Sequence, residues 1–214
     1  MKRRNFGHLL ASLMVASSMG IYAGLAHASD EAPDAMIKRL SEDVIGTIKA
    51  DKSLQTGDIS RVIALVDTKI MPNVNFQRMT ASAVGPAWRQ ATPEQKKQLQ
   101  DEFKTLLVRT YAGALAQVND QSISVKPLRA DAADTEVIVR TEVRGRGDPI
   151  QLDYRLEKTP GQGAGWKIFN LNVLGVWLME TYRSQFAQEI NAKGLDGLIA
   201  TLSARNKSNN AKKG

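Results

Sequence analysis

The chain has no cysteine in its 214 residues, and its two histidines, His8 and His27, both lie close to the N-terminus. A disulfide framework is therefore excluded. If the opening segment is removed, no histidine is left either, and a zinc site built on Cys or His is excluded with it. So is nucleophilic catalysis through a Ser–His or Cys–His pair. Carboxylate, lysine and tyrosine chemistry stays open. Aromatic residues are sparse, at 6%. Basic residues clustered with aromatic platforms, the footprint of nucleic-acid binding, are missing as well.

What the opening segment does have is a pattern. Lys2, Arg3 and Arg4 come first, Leu9 to Leu25 carry no charge, and Ala26-His27-Ala28 follows. A basic start, a short apolar run and an A-x-A site read as a secretory signal over residues 1–28. The competing reading is a membrane anchor. A stable span takes roughly 20 apolar residues, and this run is shorter and interrupted by Ser17, Ser18, Gly20 and Gly24. No later stretch of sequence is apolar enough to span a bilayer. The expectation is an exported, soluble mature chain starting near Ser29. Lys2, Arg3 and Arg4 account for three of the +7 formal charges, which leaves +4. The stretch from Arg205 onward is polar and basic, so residues 204–214 are expected to form a disordered tail. Residues 29–203 then make one domain with a sizeable core.

That domain reads in three blocks. Met36, Ile37, Leu40, Val44, Ile45 and Ile48 are spaced for a helix over Ala35 to Ala50. Asp58 is an N-cap for a helix over Ile59 to Met71, which Pro72 stops. A short helix over Asn75 to Val84 ends at Gly85-Pro86. Thr92-Pro93-Glu94-Gln95 is a capping box with Pro at the first helical position. The helix it opens is the longest, Pro93 to about Val118, with Leu99, Phe103, Leu106, Leu107, Tyr111, Ala114, Leu115 and Val118 on one broad face. The period then changes to two. Ser122 to Val125 reads as a strand. Val137, Val139, Thr141 and Val143 alternate with polar residues or Ile138, and Ile150, Leu152, Tyr154 and Leu156 alternate strictly with polar ones. Gly-rich turns at Gly145–Pro149 and Pro160–Gly165 separate the last two of these from each other and from a final strand, Trp166 to Val176. Such strands are antiparallel hairpins with one apolar and one wet face. A helix over Leu178 to Ala192 and a short one over Leu195 to Leu202 follow, separated by Gly194. The fold class is α+β, a curved antiparallel sheet covered by helices.

Several ordered stretches resemble the MlaC family, the toluene-tolerance family of periplasmic phospholipid-binding proteins. They are Met71-Pro72-Asn73-Val74-Asn75-Phe76 with Val84-Gly85-Pro86-Ala87-Trp88; Ala91-Thr92-Pro93-Glu94-Gln95 running into Leu107-Val108-Arg109-Thr110-Tyr111-Ala112; and Ile150 to Tyr154. The most specific set is Gly165-Trp166-Lys167, Gly175-Val176, Tyr182-Arg183-Ser184-Gln185-Phe186 and Gly194-Leu195-Asp196-Gly197-Leu198. The likeness runs from about Ala35 to Leu202. It implies a cone similar to nuclear transport factor 2, with helices closing an apolar lipid cavity. It implies a phospholipid as cargo and no cofactor or metal. The implied partners are the inner-membrane MCE-domain subunit of an ABC lipid transporter and an outer-membrane lipoprotein–porin complex. A periplasmic monomer would shuttle between them in a Gram-negative envelope, touching membranes only through those complexes, and so maintain outer-membrane lipid asymmetry. The chain departs from the family at Asn170, where Asp is usual, at Trp177, where Ser is usual, and at Gly85-Pro86, where the family tends to Leu-Gly. A bulky Trp177 beside the cavity bears on cargo size.

A lipid carrier has a clear physical task. At ~0.8 kcal/mol per methylene, about 30 methylenes in water cost on the order of 25 kcal/mol. The protein must offer an apolar cavity, roughly at the upper end of the 300–1,000 Å³ range, without unpaired polar groups. Ile150, Leu152 and Tyr154 with Val137 and Val139 can form one wall. Phe103, Leu107, Tyr111 and Leu115 can form another, and Val173 and Val176 add the end strand. Tyr111, Ile150 and Val176 also match family pocket positions. For each residue, plain core packing is the alternative. Arg109 and Arg183 are candidates to meet a lipid phosphate, or to pair with carboxylates at the rim.

Two other functions compete. An enzyme of this fold would need a carboxylate in the pocket, and Asp153 is the candidate. Strand alternation sends Asp153 and Tyr154 to opposite faces, so no enzymatic activity is expected. A protein-interaction or chaperone-like module without lipid is the second, favoured if Trp177 plugs the cavity.

Overall fold

The computed structural model describes residues 31–118, 120–131, 133–145 and 147–211. The expected signal, residues 1–28, lies outside them. The chain enters helix α1 (Pro33–Ala50) with Pro at its start, followed by the short α2 (Lys52–Gln55), where Asp51 caps by accepting from the Ser53 and Leu54 amides. α3 (Ile59–Leu65) is capped by Asp58. It does not run on to Met71 as a regular helix: residues 66–70 widen into a π turn and 71–73 tighten into a 3₁₀ turn around Pro72. α4 (Phe76–Val84) starts on an Asn75 cap and ends at Gly85, whose φ of 73° suits glycine. A 3₁₀ turn over Gly85–Arg89 follows. α5 (Pro93–Ala116) has the expected capping box: Gln95 N–H donates to Thr92 Oγ1 and Thr92 N–H donates to Gln95 Oε1, at 3.2 and 3.0 Å.

The sheet has five antiparallel strands in chain order: β1 (Ser122–Val125), β2 (Glu136–Arg144), β3 (Ile150–Lys158), β4 (Trp166–Val173) and β5 (Val176–Trp177). The expected single strand from Trp166 to Val176 is therefore two, folded at Leu174-Gly175. A bulge opposite Arg155 and Leu156 inserts Phe169 between the paired residues Ile168 and Asn170. α6 (Leu178–Ala211) closes the chain. Its backbone breaks at Gly194, φ 70°, which separates the two helices expected there.

The expected disordered tail begins inside α6. Asn206 is buried, and its amide donates to the backbone and side-chain oxygens of Glu102 at 2.9 and 2.6 Å. The helix therefore docks on α5 past residue 204, because one side chain there finds a buried partner despite the polar composition. Residues 212–214 lie outside the described residues.

Three apolar clusters hold these elements. One packs Phe103 against Tyr182 and Phe186, edge to face at 4.9 and 5.2 Å, between α4, α5, α6 and Phe169. A second lays Met36, Ile37 and Leu40 of α1 on Val137, Val139, Leu156 and Ile168 of the sheet. The third joins Ile48, Leu54, Val62, Leu65, Val108 and Ala112. Val74 touches the first two, and Asn75 N–H donates to Ile168 O at 2.8 Å, tying the helices to β4.

Candidate functional site

Register places one set of side chains on a common sheet face: Val137, Val139, Thr141 and Val143 of β2; Ile150, Leu152, Tyr154 and Leu156 of β3; Ile168, Leu171 and Val173 of β4; and Val176 of β5. Burial falls along this face. Leu156 and Val139 are 0% exposed under α1, Tyr154 and Leu152 are half-buried, and Ile150 is 44% exposed where β2 turns into β3. Val176 is 53% and Leu174 65% exposed at the same end. Thr141, buried on this face, satisfies its hydroxyl by donating to Leu152 O at 2.9 Å. The apolar face is thus roofed at one end and bare at the other.

The predicted α5 wall behaves in the same graded way, for a geometric reason. Side chains four apart on a 3.6-residue helix drift by about 40° per step, so Phe103 and Leu115 point some way apart. Phe103 is fully buried in the α4–α5–α6 cluster, and Leu115 packs on the α1–α3 cluster. Leu107 and Tyr111, between them, stay half-buried. Among the described residues, the main neighbours of α5 are the helices α2, α3, α4 and α6.

Of the sequence candidates, then, Phe103 and Val139 sit in the core. Leu107, Tyr111, Leu152, Tyr154 and Val173 are half-buried, Ile150 and Val176 are bare, and Leu115 joins the third cluster. Leu171, beside Tyr154 on the same face, and Leu174 were not singled out. The alternation that found Val173 extends two residues back to Leu171, whereas nothing in the sequence marked Leu174. A cavity of about 300 Å³ near Pro33, Lys158 and Trp166 meets this face only at Val137, under the α1 end, and one of about 150 Å³ between the two parts of α6 lies away from it.

The polar groups near the wall are few. Burial pushes the Tyr111 phenol above its ordinary value, while its hydrogen bond with Tyr182 opposes the rise. Burial likewise raises Tyr154, against the effect of Ser41 and Thr141. Charges occupy the opposite face. Arg155 pairs with Glu180 at 2.6 Å and lies 3.9 Å over the Trp177 ring. Trp177 pairs with Asn172, while Val176 takes the apolar face. Trp177 therefore stands away from the apolar face, and the alternative in which it plugs the cavity is not favoured. The turn at Leu174-Gly175 resets the alternation, and the indole goes to the outer side. Asp153 faces the same outer side, opposite Arg140 and Asn172, away from Tyr154. Among the described residues no group of His, Cys, Asp and Glu could hold a metal ion. No helix there is long and apolar enough to cross a membrane.

A family model described as MlaC protein matches residues 38–204. The chain belongs to this family. The toluene tolerance protein ttg2D of Pseudomonas putida is 26% identical over 167 residues, spanning 78% of this chain and 76% of that one. The intermembrane phospholipid transport system binding protein MlaC of Haemophilus influenzae is 21% identical over 81% of this chain and 82% of its own. Among solved structures, the phospholipid-binding protein of Ralstonia solanacearum, in complex with a phospholipid, superposes with a TM-score of 0.79. It is 48% identical, and the match covers 82% of this chain and 97% of that one. The MlaC fold is thus shared along nearly the whole described chain.

Proposed function

We propose that this protein binds a phospholipid and carries it through the periplasm. The acyl tails lie between the bare end of the sheet's apolar face and α5, and the head group stays in water. Tyr111, Ile150, Leu152, Tyr154, Val173, Val176 and Leu107 line the path, with Leu115, Phe103 and Val139 behind them. The observation that carries the reading is the phospholipid held by a relative 48% identical over 97% of its length. The graded burial supports it, since Leu107 and Tyr111 of α5 and Leu171 and Val173 of β4 flank the same apolar cluster and remain half-buried where a packed core would bury them. The shuttle would run, as a monomer, between an inner-membrane MCE-domain subunit of an ABC transporter and an outer-membrane lipoprotein–porin complex, maintaining outer-membrane lipid asymmetry. Lipid is the cargo, and no catalytic step is needed. With Trp177 on the outer face, no plug favours the chaperone-like alternative.

Native mass spectrometry of protein purified without detergent tests this directly. The expected result is a mass shift of one or more whole phospholipids, with phosphatidyl lipids in the extract. A protein that stays lipid-free after incubation with phosphatidylethanolamine and phosphatidylglycerol vesicles and the inner-membrane partner would refute it.

A further inference from the structure

Leu174 and Gly175 form the two-residue turn between β4 and β5, with Val173 and Val176 paired across it. Both turn residues have positive φ, 52° and 88°. This is the geometry in which Asn-Gly is favoured and a branched apolar side chain is disfavoured, because Cβ crowds the carbonyl of its own residue. The backbone of the turn does not need leucine. Leu174 N–H donates to Gln151 O at 3.0 Å, and Gly175 N–H donates to Asn172 Oδ1 at 2.9 Å. Nor does the core need it, since the side chain is 65% exposed. A strained position carries a bare leucine, next to the bare Ile150 and Val176. Strain and exposure together at one residue point to a ligand rather than to folding.

We propose that Leu174 is a lip residue that contacts the acyl chains of the bound phospholipid where they leave the wall, and so slows their escape. The inference rests on the phospholipid reading above. Register supports the placement. Leu152 pairs with Val173 and Val173 with Val176, so Ile150, Leu152, Val173 and Val176 form one patch, and Leu174 stands in the turn at its exposed end. Three bare side chains are far short of the roughly 800 Å² per side that a stable protein interface buries. They match the few methylenes of an acyl chain crossing the mouth.

The test loads the protein with NBD-labelled phosphatidylethanolamine, mixes it with excess methyl-β-cyclodextrin and follows the fall in fluorescence. Leu174→Asn relieves the strained turn, so its melting temperature is expected to rise by about 2–4 °C. Its lipid is expected to leave about tenfold faster, as for two lost methylene contacts. Leu174→Met, which keeps an apolar side chain, is expected to release at the wild-type rate. Equal release from Leu174→Asn and wild type overturns the proposal and leaves the lip to a protein partner or a bilayer surface. Failure of the phospholipid reading looks different: the wild-type protein then takes up no labelled lipid at all, and the role of Leu174 falls with it.

Discussion

Asn170 is 3% exposed, and its amide is used at both ends. Oδ1 accepts from the Leu171 and Met179 amides at 2.9 and 3.2 Å, and Nδ2 donates to Glu180 Oε2 at 2.8 Å. Burial pushes the Glu180 carboxyl up, but the Asn170 and Arg155 hydrogen bonds outweigh it and hold the group below its usual value. The aspartate usual in the family could accept the two amides but could not donate to Glu180. Asn170→Asp is therefore expected to destabilise by about 2 kcal/mol at pH 7, from a lost charge-assisted bond and a facing carboxylate. The loss should shrink by pH 4.5 as one carboxyl takes up a proton. Urea unfolding of variant and wild type at both pH values reads this out.

At the scale of elements, β1 is held to β2 by four residue pairs and by charge. Glu142 accepts from Lys126 at 2.5 Å and from Arg144 at 2.6 Å, and these partners push its carboxyl down from 4.5 to about 2. The folded value lies below the unfolded one, so the contribution is complete above pH 4.5 and is lost as pH falls towards 2. Arg144 lies on β2 itself, so only the Lys126 share of this pairing ties the end of β1 to β2, and that end should loosen over the window. Amide exchange at Ser124 and Val125 is expected to speed up relative to Val139, and Glu142→Gln should remove the pH dependence. The elements themselves were largely legible in the sequence. The Thr92–Gln95 box, the Asp58 cap and the alternation of β2 and β3 are local signals, and local signals survive folding. The split of the last strand was not, because Leu-Gly does not announce a left-handed turn as Asn-Gly does. The face of Trp177 was lost with it. The π turn after Leu65 and the docking of Asn206 depend on distant partners, which periodicity cannot register.

For the whole molecule, the candidate wall divides into residues that hold the fold and residues left bare by it. Phe103→Ala removes the centre of the aromatic cluster and is expected to cost about 3–5 kcal/mol of stability. Ile150→Ser with Val176→Ser is expected to change stability by no more than about 0.5 kcal/mol while lowering copurified phospholipid severalfold. Thermal unfolding and lipid extraction on the same samples separate the two groups. From the sequence these residues look alike, all apolar and all in phase. Only the drift of an i, i+4 row around α5, and the distance from the α1 roof, decide which are enclosed.

The strands stand in the sheet in the order in which they occur in the chain. Each pairing therefore closes a loop of modest length, and none has to wait for a strand from far away. With no cysteine in the chain, no oxidation step can hold the process back either. The sheet can therefore form from neighbour to neighbour, at a pace set by hairpins, with the residues of the helix that roofs it, α1, standing ahead of every strand in the chain.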